Sequence, residues 1–359
     1  MAPADGHRTP TLCDRWHPAG AGPGLGTAGG LLYPAGMSNA IEAEALVKRY
    51  KGGVLALDGI DLAVEEGTVF GLLGPNGAGK TTAVRIFTTT LIPDSGRARV
   101  LGMDVVARAE EVRATIGLAG QFAAVDENLT GHENLRLIGQ LNQLGRKRAT
   151  ERSRELLGRF DLEEAADRPA KTFSGGQRRR LDIAASLVAR PSILFLDEPT
   201  TGLDPQSRKD LWVMIEELVA EGTTVLLTTQ YLEEADRLAS IVAVVDHGKV
   251  IAEGTPEELK SKMGRTVLEL EMASAADAAD TAEALERLGS EVPQVSGASV
   301  EVTVEDGAQF LTRALRSMDR RKLVPLHLAL REPSLDDVFL ALTGHRAEET
   351  ASEAEEGRP

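Results

Sequence analysis

The sequence has 359 residues, enough for two domains and a large core, and its 42% hydrophobic and 26% charged residues are ordinary for a soluble globular protein. No stretch reaches the roughly 18 apolar residues a transmembrane helix needs, so any membrane role has to run through a partner. A net charge of −15 argues against nucleic acid, whose binding depends on neutralising phosphates with Lys and Arg, and the single Cys13 excludes an intrachain disulfide and a cysteine-based metal cluster.

Residues 1–36 are rich in Gly, Pro and Ala and carry no periodic apolar pattern. They lack a charged n-region followed by an apolar h-region, so they read as a disordered leader of a cytosolic chain rather than a secretory signal. Met37 stands just before the first folded-looking segment and is a candidate translation start. Alternation at 45–50 and 56–62, broken by Gly52 and Gly53, predicts a short antiparallel sheet. Tyr50 there either stacks on a purine or simply packs.

Residues 69–73 form an apolar strand that runs into Gly74, Pro75, Asn76, Gly77, Ala78, Gly79, Lys80 and Thr81. This fills the pattern G-x-x-x-x-G-K-[ST] between a strand and a helix, the context a phosphate loop requires. Its glycines let successive backbone N–H groups turn toward one anion, and the N-terminus of the helix opened by Thr81 and Thr82 adds partial positive charge. Lys80 can reach the β and γ phosphates, and the Thr81 hydroxyl can ligate Mg²⁺. The helix is expected to end near the turn signal at 93–96, with a strand pair through 97–105 and a strand at 115–119. Gln121, leaving that strand, can ligate Mg²⁺ and sense a γ phosphate; otherwise it is a surface loop residue.

Residues 127–168 read as helical throughout, with Leu135, Ile138, Leu141 and Leu144 at helical spacing, which suits packing within a helical subdomain. Phe173, Ser174, Gly175, Gly176 and Gln177 then open a helix over 177–189 that Pro191 stops. Ser174 suits an N-cap, and the glycines leave N–H groups for a second anion-binding helix N-terminus. One triphosphate needs one such loop, so this surface points to the nucleotide of another subunit. Arg178, Arg179 and Arg180 read as solvated or salt-bridged.

The apolar run 192–196 suits a buried parallel strand and ends in Asp197 and Glu198. Asp197 can hold the Mg²⁺ shell, and Glu198 can accept a proton from an attacking water. Gly202, Leu203 and Asp204 precede a helix over 205–220, followed by a buried strand over 223–229 that ends at Gln230. A closing hairpin is read at 241–245 and 249–254. Strands alternating with helices between Val69 and Val245 predict a mostly parallel α/β core. A short helix starts at 255–258. Beyond it the order is strand 267–272, helix 275–288, strand 299–304, helix 308–318, strand 325–330 and helix 335–342, a small α+β domain without a motif for chemistry. Residues 346–359, with five glutamates, read as a disordered acidic tail.

In order and spacing, the phosphate loop, Gln121, 173–177, Asp197-Glu198 and 202–204 resemble the nucleotide-binding subunit of ABC transporters, over about residues 41–255. The resemblance implies an α/β fold, a P-loop NTPase ABC cassette. Its mostly parallel sheet core would carry an antiparallel β-subdomain and a helical subdomain, with a small C-terminal α+β domain at 264–345. It also implies that Tyr50 stacks on adenine and that Gln121 is the Q-loop residue. Ser174, Gly175, Gly176 and Gln177 would belong to the signature that caps ATP on the opposite subunit, and Asp204 to the loop crossing that interface. Residues 228–236 and 332–339 resemble the daunorubicin-resistance branch. Gln230 stands where most of these ATPases have histidine. A neutral amide can donate a hydrogen bond but takes no proton near neutral pH, so Glu198 is read as the base and Gln230 as a γ-phosphate sensor. Phe173 replaces the usual leucine of the signature.

The implied function is hydrolysis of ATP with Mg²⁺ to power export of a hydrophobic drug. Two copies would sandwich two ATP head-to-tail on the cytoplasmic face of the membrane. A separate permease would dock near Gln121 and the helical segment behind it, with no nucleic acid involved. The alternatives are another transported substrate (lipid, polysaccharide or an imported solute) and a soluble ABC ATPase acting on ribosomes or DNA. The latter usually carries two cassettes or a coiled-coil insertion, and this chain has neither. GTP is disfavoured because no N-K-x-D segment is present. The distal domain either stabilises a dimer or binds an effector.

Overall fold

Alternation of apolar and polar side chains builds the first sheet. The computed structural model describes residues 39–120, 125–263, 266–288, 292–304, 307–331 and 334–343. The leader 1–36, Met37, Gln121, the Glu332-Pro333 pair and the tail 346–359 lie outside the described residues. Strand β1 (Asn39–Arg49) pairs antiparallel with β2 (Leu55–Glu65), burying Ile41, Ala43 and Leu46 with Leu57, Ile60, Leu62 and Val64. Strand β1 starts well before the expected segment, where an irregularity between Ala43 and Leu46, with Ala45 at φ 46°, interrupts the alternation, and β2 continues its alternation past residue 62 to Glu65.

Strand β3 (Val69–Leu73) is buried at every position and leads through the glycine-rich loop to helix α1 (Lys80–Phe87). The helix stops at Thr88, short of the expected 93–96. Thr88 and Thr90 turn their hydroxyls onto the carbonyls of Val84 (2.8 Å) and Arg85 (2.9 Å), and Thr89 adopts φ 62°. Such local bonds compete with helix continuation. Strands β4 (Ser95–Val100) and β5 (Met103–Asp104) complete a sheet of order β2-β1-β4-β5. A short helix the sequence did not announce, α2 (Ala109–Thr115), precedes β6 (Ile116–Ala119).

The segment expected to be helical throughout 127–168 is two helices, α3 (Gly131–Leu141) and α4 (Arg146–Arg159), with a single 3₁₀ turn at Glu163–Ala165. Thr130 and Glu133 form a capping box that fixes where α3 begins, and Gln143 at φ 61° turns the chain between the helices. There follow α5 (Gly175–Ser186), β7 (Ile193–Asp197), α6 (Pro205–Ala220), β8 (Thr224–Thr229), α7 (Leu232–Leu238), β9 (Ile241–Asp246) and β10 (Lys249–Gly254). Helix α5 starts and ends earlier than expected, and α7 was not anticipated.

The second sheet has the order β10-β9-β3-β8-β7-β6, parallel throughout except for the β9-β10 hairpin. Alternate residues serve its two faces. Ile193, Phe195 and Leu226 join Phe70, Ile86 and Phe87 beneath the first sheet, whereas Leu194, Leu196, Val225 and Leu227 pack with α4, α5 and α6 residues such as Leu156, Leu181 and Ile215.

The contacts divide the chain between Thr255 and Pro256 into two units. The second holds α8 (Pro256–Met263), β11 (Thr266–Glu271), α9 (Ala275–Glu286), β12 (Gln294–Ser296), β13 (Ser299–Val304), α10 (Gly307–Arg320), β14 (His327–Arg331) and α11 (Leu335–Thr343). Its antiparallel sheet, order β12-β13-β11-β14, packs Leu268, Leu270, Val300, Val302 and Val304 against Ala278, Leu285, Phe310, Ala314 and Met318. Strand β12 was missed because its three residues are all exposed and carry no pattern. Arg331 gathers Glu269 and Asp337, and Asp337 in the first turn of α11 also accepts from the N–H and hydroxyl of Ser334, the residue that precedes the helix. Among the described residues no helix is long and apolar enough to cross a membrane.

Phe195 is fully buried against Phe87, ring centroids 6.4 Å apart, two residues before Asp197. Phe195→Ala is expected to cost about 3–5 kcal/mol, the usual loss for emptying a buried ring site. Equilibrium denaturation checks this; a loss under about 1 kcal/mol would place the ring outside the core.

Candidate functional site

The carboxyl ends of the parallel strands deliver the chemistry-bearing residues to one place. The loop leaving β3 presses against its neighbours so closely that a Cβ on Gly74 would lie 2.2 Å from the Val245 carbonyl oxygen. One on Gly79, at φ 112°, would lie 2.4 Å from that of Ala56. Only glycine fits either position. Gly79 also ends the loop as the N-cap of α1, and no side chain caps the first-turn N–H groups there.

Lys80 is 4% exposed. Its Nζ donates to the carbonyls of Gly74 (2.7 Å) and Pro75 (3.1 Å) and lies 3.5 Å from Glu198 Oε1. Burial lowers the pKa of the ammonium, while Glu198, and more weakly Asp197, work to raise it. Thr81 Oγ1 donates to Asp197 Oδ1 at 3.2 Å, and Thr228 Oγ1 donates to the same oxygen at 2.5 Å. Glu198 sits at φ 50°, a left-handed conformation that costs a non-glycine residue about 1–2 kcal/mol. Its N–H is held by both the carbonyl (3.0 Å) and the hydroxyl (3.1 Å) of Thr228.

A cavity of about 320 Å³ opens over this cluster, lined by Tyr50, by Asn76, Gly77 and Gly79 through Thr82, and by Glu198. Tyr50 reaches its rim with the hydroxyl 3.2 Å from Thr82 Oγ1. Thus Tyr50, Lys80, Thr81, Thr82, Asp197 and Glu198 come together, with Gly74, Pro75 and Ala78 forming the loop's backbone.

Ser174, Gly175, Gly176, Gln177 and Asp204 form a second group outside the cavity lining. Ser174 caps α5 by accepting from Gln177 N–H (3.2 Å), while the Gln177 side chain accepts from Ser174 N–H (3.1 Å). A Cβ on Gly176 would meet Ser207 Oγ at 2.7 Å, so Gly176 packs the first turn of α5 against the start of α6, while Gly175 beside it faces open space. There Ser207 donates to Asp204 (2.6 Å), which caps α6 by accepting from the N–H groups of Gln206 and Ser207. The Ser207 hydroxyl and N–H bonds hold the Asp204 carboxyl below its ordinary pKa. Gln230 follows β8 directly and is half-buried. Gln121 lies outside the described residues.

Three contributors escaped sequence reasoning. Thr228 was one threonine among several at a strand end. Arg179, one of three consecutive arginines, is mostly buried rather than solvated and donates to the carbonyls of Pro199 and Gly120 (2.8 Å each), besides pairing with Asp182 (3.2 Å). Arg178 and Arg180 pair with Glu127 and Asp210. Glu234 on α7 is fully buried, accepting from Trp212 Nε1 at 3.2 Å. Burial raises its pKa, opposed in part by Thr229, Trp212, Thr200 and the Arg179 charge.

A carboxyl whose pKa is raised by folding binds its proton more tightly in the folded than the unfolded chain. Its stabilising contribution is present below the ordinary carboxylate pKa and is lost as pH rises through the raised value. Glu234→Gln, which keeps an acceptor for Trp212 and does not titrate, is expected to remove that loss. Its stability relative to wild type should climb as pH rises from the carboxylate range and then level off. Urea denaturation across pH checks this, and a difference independent of pH contradicts it.

The comparisons with known proteins agree with this geometry. A family model described as ABC transporter matches residues 57–201, and one described as ATP-binding protein DrrA1-3-like, C-terminal domain matches 254–343. The chain is 53% identical over 313 residues to daunorubicin resistance ATP-binding protein DrrA2 of Streptomyces coeruleorubidus, covering 87% of this chain and 97% of that protein. It is 51% identical over 318 residues to daunorubicin/doxorubicin resistance ATP-binding protein DrrA of Streptomyces peucetius, covering 88% and 96%. Among solved structures it is similar to a dimeric post-hydrolysis ATP-binding cassette bound to ADP and Pi. That match has a TM-score of 0.56 and 25% identity, covering 60% of this chain and 98% of that one. The fold is that of an α/β P-loop NTPase, and the chain belongs to the DrrA-like, daunorubicin/doxorubicin-resistance family of ABC transporter ATP-binding proteins.

Proposed function

We propose that this ATPase powers efflux of a hydrophobic, daunorubicin-like drug through a separate membrane permease, working as a pair of identical subunits on the cytoplasmic face of the membrane. The observation that carries the reading is the convergence of Lys80 and Thr81 on the adjacent acids Glu198 and Asp197 at the end of β7. The relatives' names supply the substrate class. In this reading the cassette spans 41–255 and the accessory domain 264–345.

The Tyr50 ring stacks on adenine, and residues 74–82 cradle the phosphates with Lys80 on the β and γ groups. Thr81 and Asp197 fit Mg²⁺: a hydroxyl and a carboxylate oxygen 3.2 Å apart are hard oxygen donors of the few-ligand kind that ion takes beside substrate phosphates. When bound, Mg²⁺ neutralises phosphate charge as it develops. Gln121 completes that set and senses the γ phosphate, as does Gln230 by donating a hydrogen bond. Glu198 takes the proton of the attacking water. Ser174, Gly175, Gly176 and Gln177 cap the ATP held by the other copy, and Asp204 stands in the loop that meets it. The contact of Gly176 with Ser207, and of Ser207 with Asp204, supports treating these two as one surface.

The test is ATP turnover by membranes containing this chain and a candidate drug-export permease, with and without an anthracycline. Glu198→Gln is expected to lower turnover by about 100-fold or more while ATP still binds, and Gln230→Ala to lower it less. The drug should change the wild-type rate. Turnover indifferent to drug contradicts the substrate, and unimpaired turnover by Glu198→Gln contradicts the base.

A further inference from the structure

We propose that Thr228 is a positioning residue of the ATPase reaction, whose hydroxyl sets the aim of Asp197, the last residue of β7, and of Glu198 after it. This rests on the assignment of Asp197 to the metal and Glu198 to proton transfer.

Strands β7 and β8 pair in parallel with Asp197 directly opposite Thr228. Thr228 is fully buried, and the three residues before it on the strand, Val225, Leu226 and Leu227, are apolar. A hydroxyl there costs stability unless it is hydrogen-bonded. Here it makes two bonds: Oγ1 donates to Asp197 Oδ1 at 2.5 Å and accepts from Glu198 N–H at 3.1 Å. The hydroxyl has one proton and the carboxylate can only accept, so the direction of both bonds is fixed. Thr81 addresses the same Asp197 oxygen at 3.2 Å, but its hydroxyl is the one assigned to the metal. Thr228 is the donor that can hold the carboxylate throughout.

The second bond bears on Glu198. Its left-handed backbone directs the side chain to within 3.5 Å of Lys80 Nζ, and its N–H is shared between the carbonyl and the hydroxyl of Thr228. One side chain therefore restrains the metal-holding carboxylate directly and the base through its backbone. The neighbouring Thr229 is turned elsewhere, accepting from Tyr231 N–H at 2.9 Å.

The test compares Thr228→Val, which keeps shape and the carbonyl bond but loses the hydroxyl, with Thr228→Ser, which keeps it. ATP binding by the full chain is titrated with Mg²⁺ in a Glu198→Gln background, kcat is measured with Glu198 present, and Tm is recorded throughout. Thr228→Val is expected to raise the Mg²⁺ half-saturation about tenfold, the usual effect of removing a partner of a metal ligand, and to lower kcat with little change in Mg²⁺-free ATP binding. Thr228→Ser should restore both. A wild-type Mg²⁺ titration in Thr228→Val overturns the inference, as does a Thr228→Ser variant equally impaired, which would mark a packing role. If Glu198→Gln alone hydrolyses ATP at the wild-type rate, the assignment of the acids falls instead, and the inference with it.

Discussion

Two hydroxyl groups meet on a single carboxylate oxygen, Asp197 Oδ1, and the rest of the site depends on that meeting. Thr81 arrives from the helix after β3 and Thr228 from β8, 116 and 31 residues away in sequence. The parallel register makes it possible, because β3, β8 and β7 are neighbours whose carboxyl ends finish level with one another. Ligands of open α/β sheets bind in that crevice, and here the crevice already holds a lysine, two acids and a loop that tolerates only glycine at Gly74 and Gly79.

The arrangement is costly in stability terms. Lys80 and Glu198 face each other with side chains only 4% and 8% exposed, and burying such a pair gives little net stabilisation. Glu198 adds a left-handed backbone, and Glu234 adds a buried carboxyl whose ionisation burial opposes. Local strain and buried charge concentrated at the carboxyl ends of the interior strands are what a site for phosphate chemistry entails. The two hydrophobic layers on either face of the sheet, with Phe195 in one and Leu194 and Leu196 in the other, offset that cost.

The glycine-rich loop after β3 and the acids Asp197 and Glu198 where β7 ends stood out in the sequence because each position is demanded by backbone geometry or by an apolar run that ends abruptly. The buried strands were legible for the same reason: β3, β7 and β8 are buried at every position. Limits set by side-chain hydrogen bonds were not legible. Thr88 and Thr90 end α1 early by donating to the carbonyls of Val84 and Arg85, and a capping box at Thr130 together with the turn at Gln143 splits one apparent helix into two. Nothing in the charged heptapeptide 232–238 marks Glu234 as buried; the packing of α7 against α6, where Trp212 donates to it, and against β3 and β8 covers it. Thr228 and Arg179 owe their importance to partners far away in sequence, Asp197 and the carbonyls of Gly120 and Pro199, which no local pattern encodes.

In the proposed mechanism Asp197, which accepts from both Thr81 after the glycine-rich loop and Thr228 on β8, also brings the metal to the nucleotide by its charge. The most direct measurement is the Mg²⁺ dependence of ATP hydrolysis by the full chain carrying Asp197→Asn, whose amide oxygen can still accept from Thr81 and Thr228. The account predicts that the variant folds and binds ATP without metal, but loses the stimulation of hydrolysis by Mg²⁺. Hydrolysis with a wild-type Mg²⁺ dependence would show that the Asp197 charge does not serve the metal.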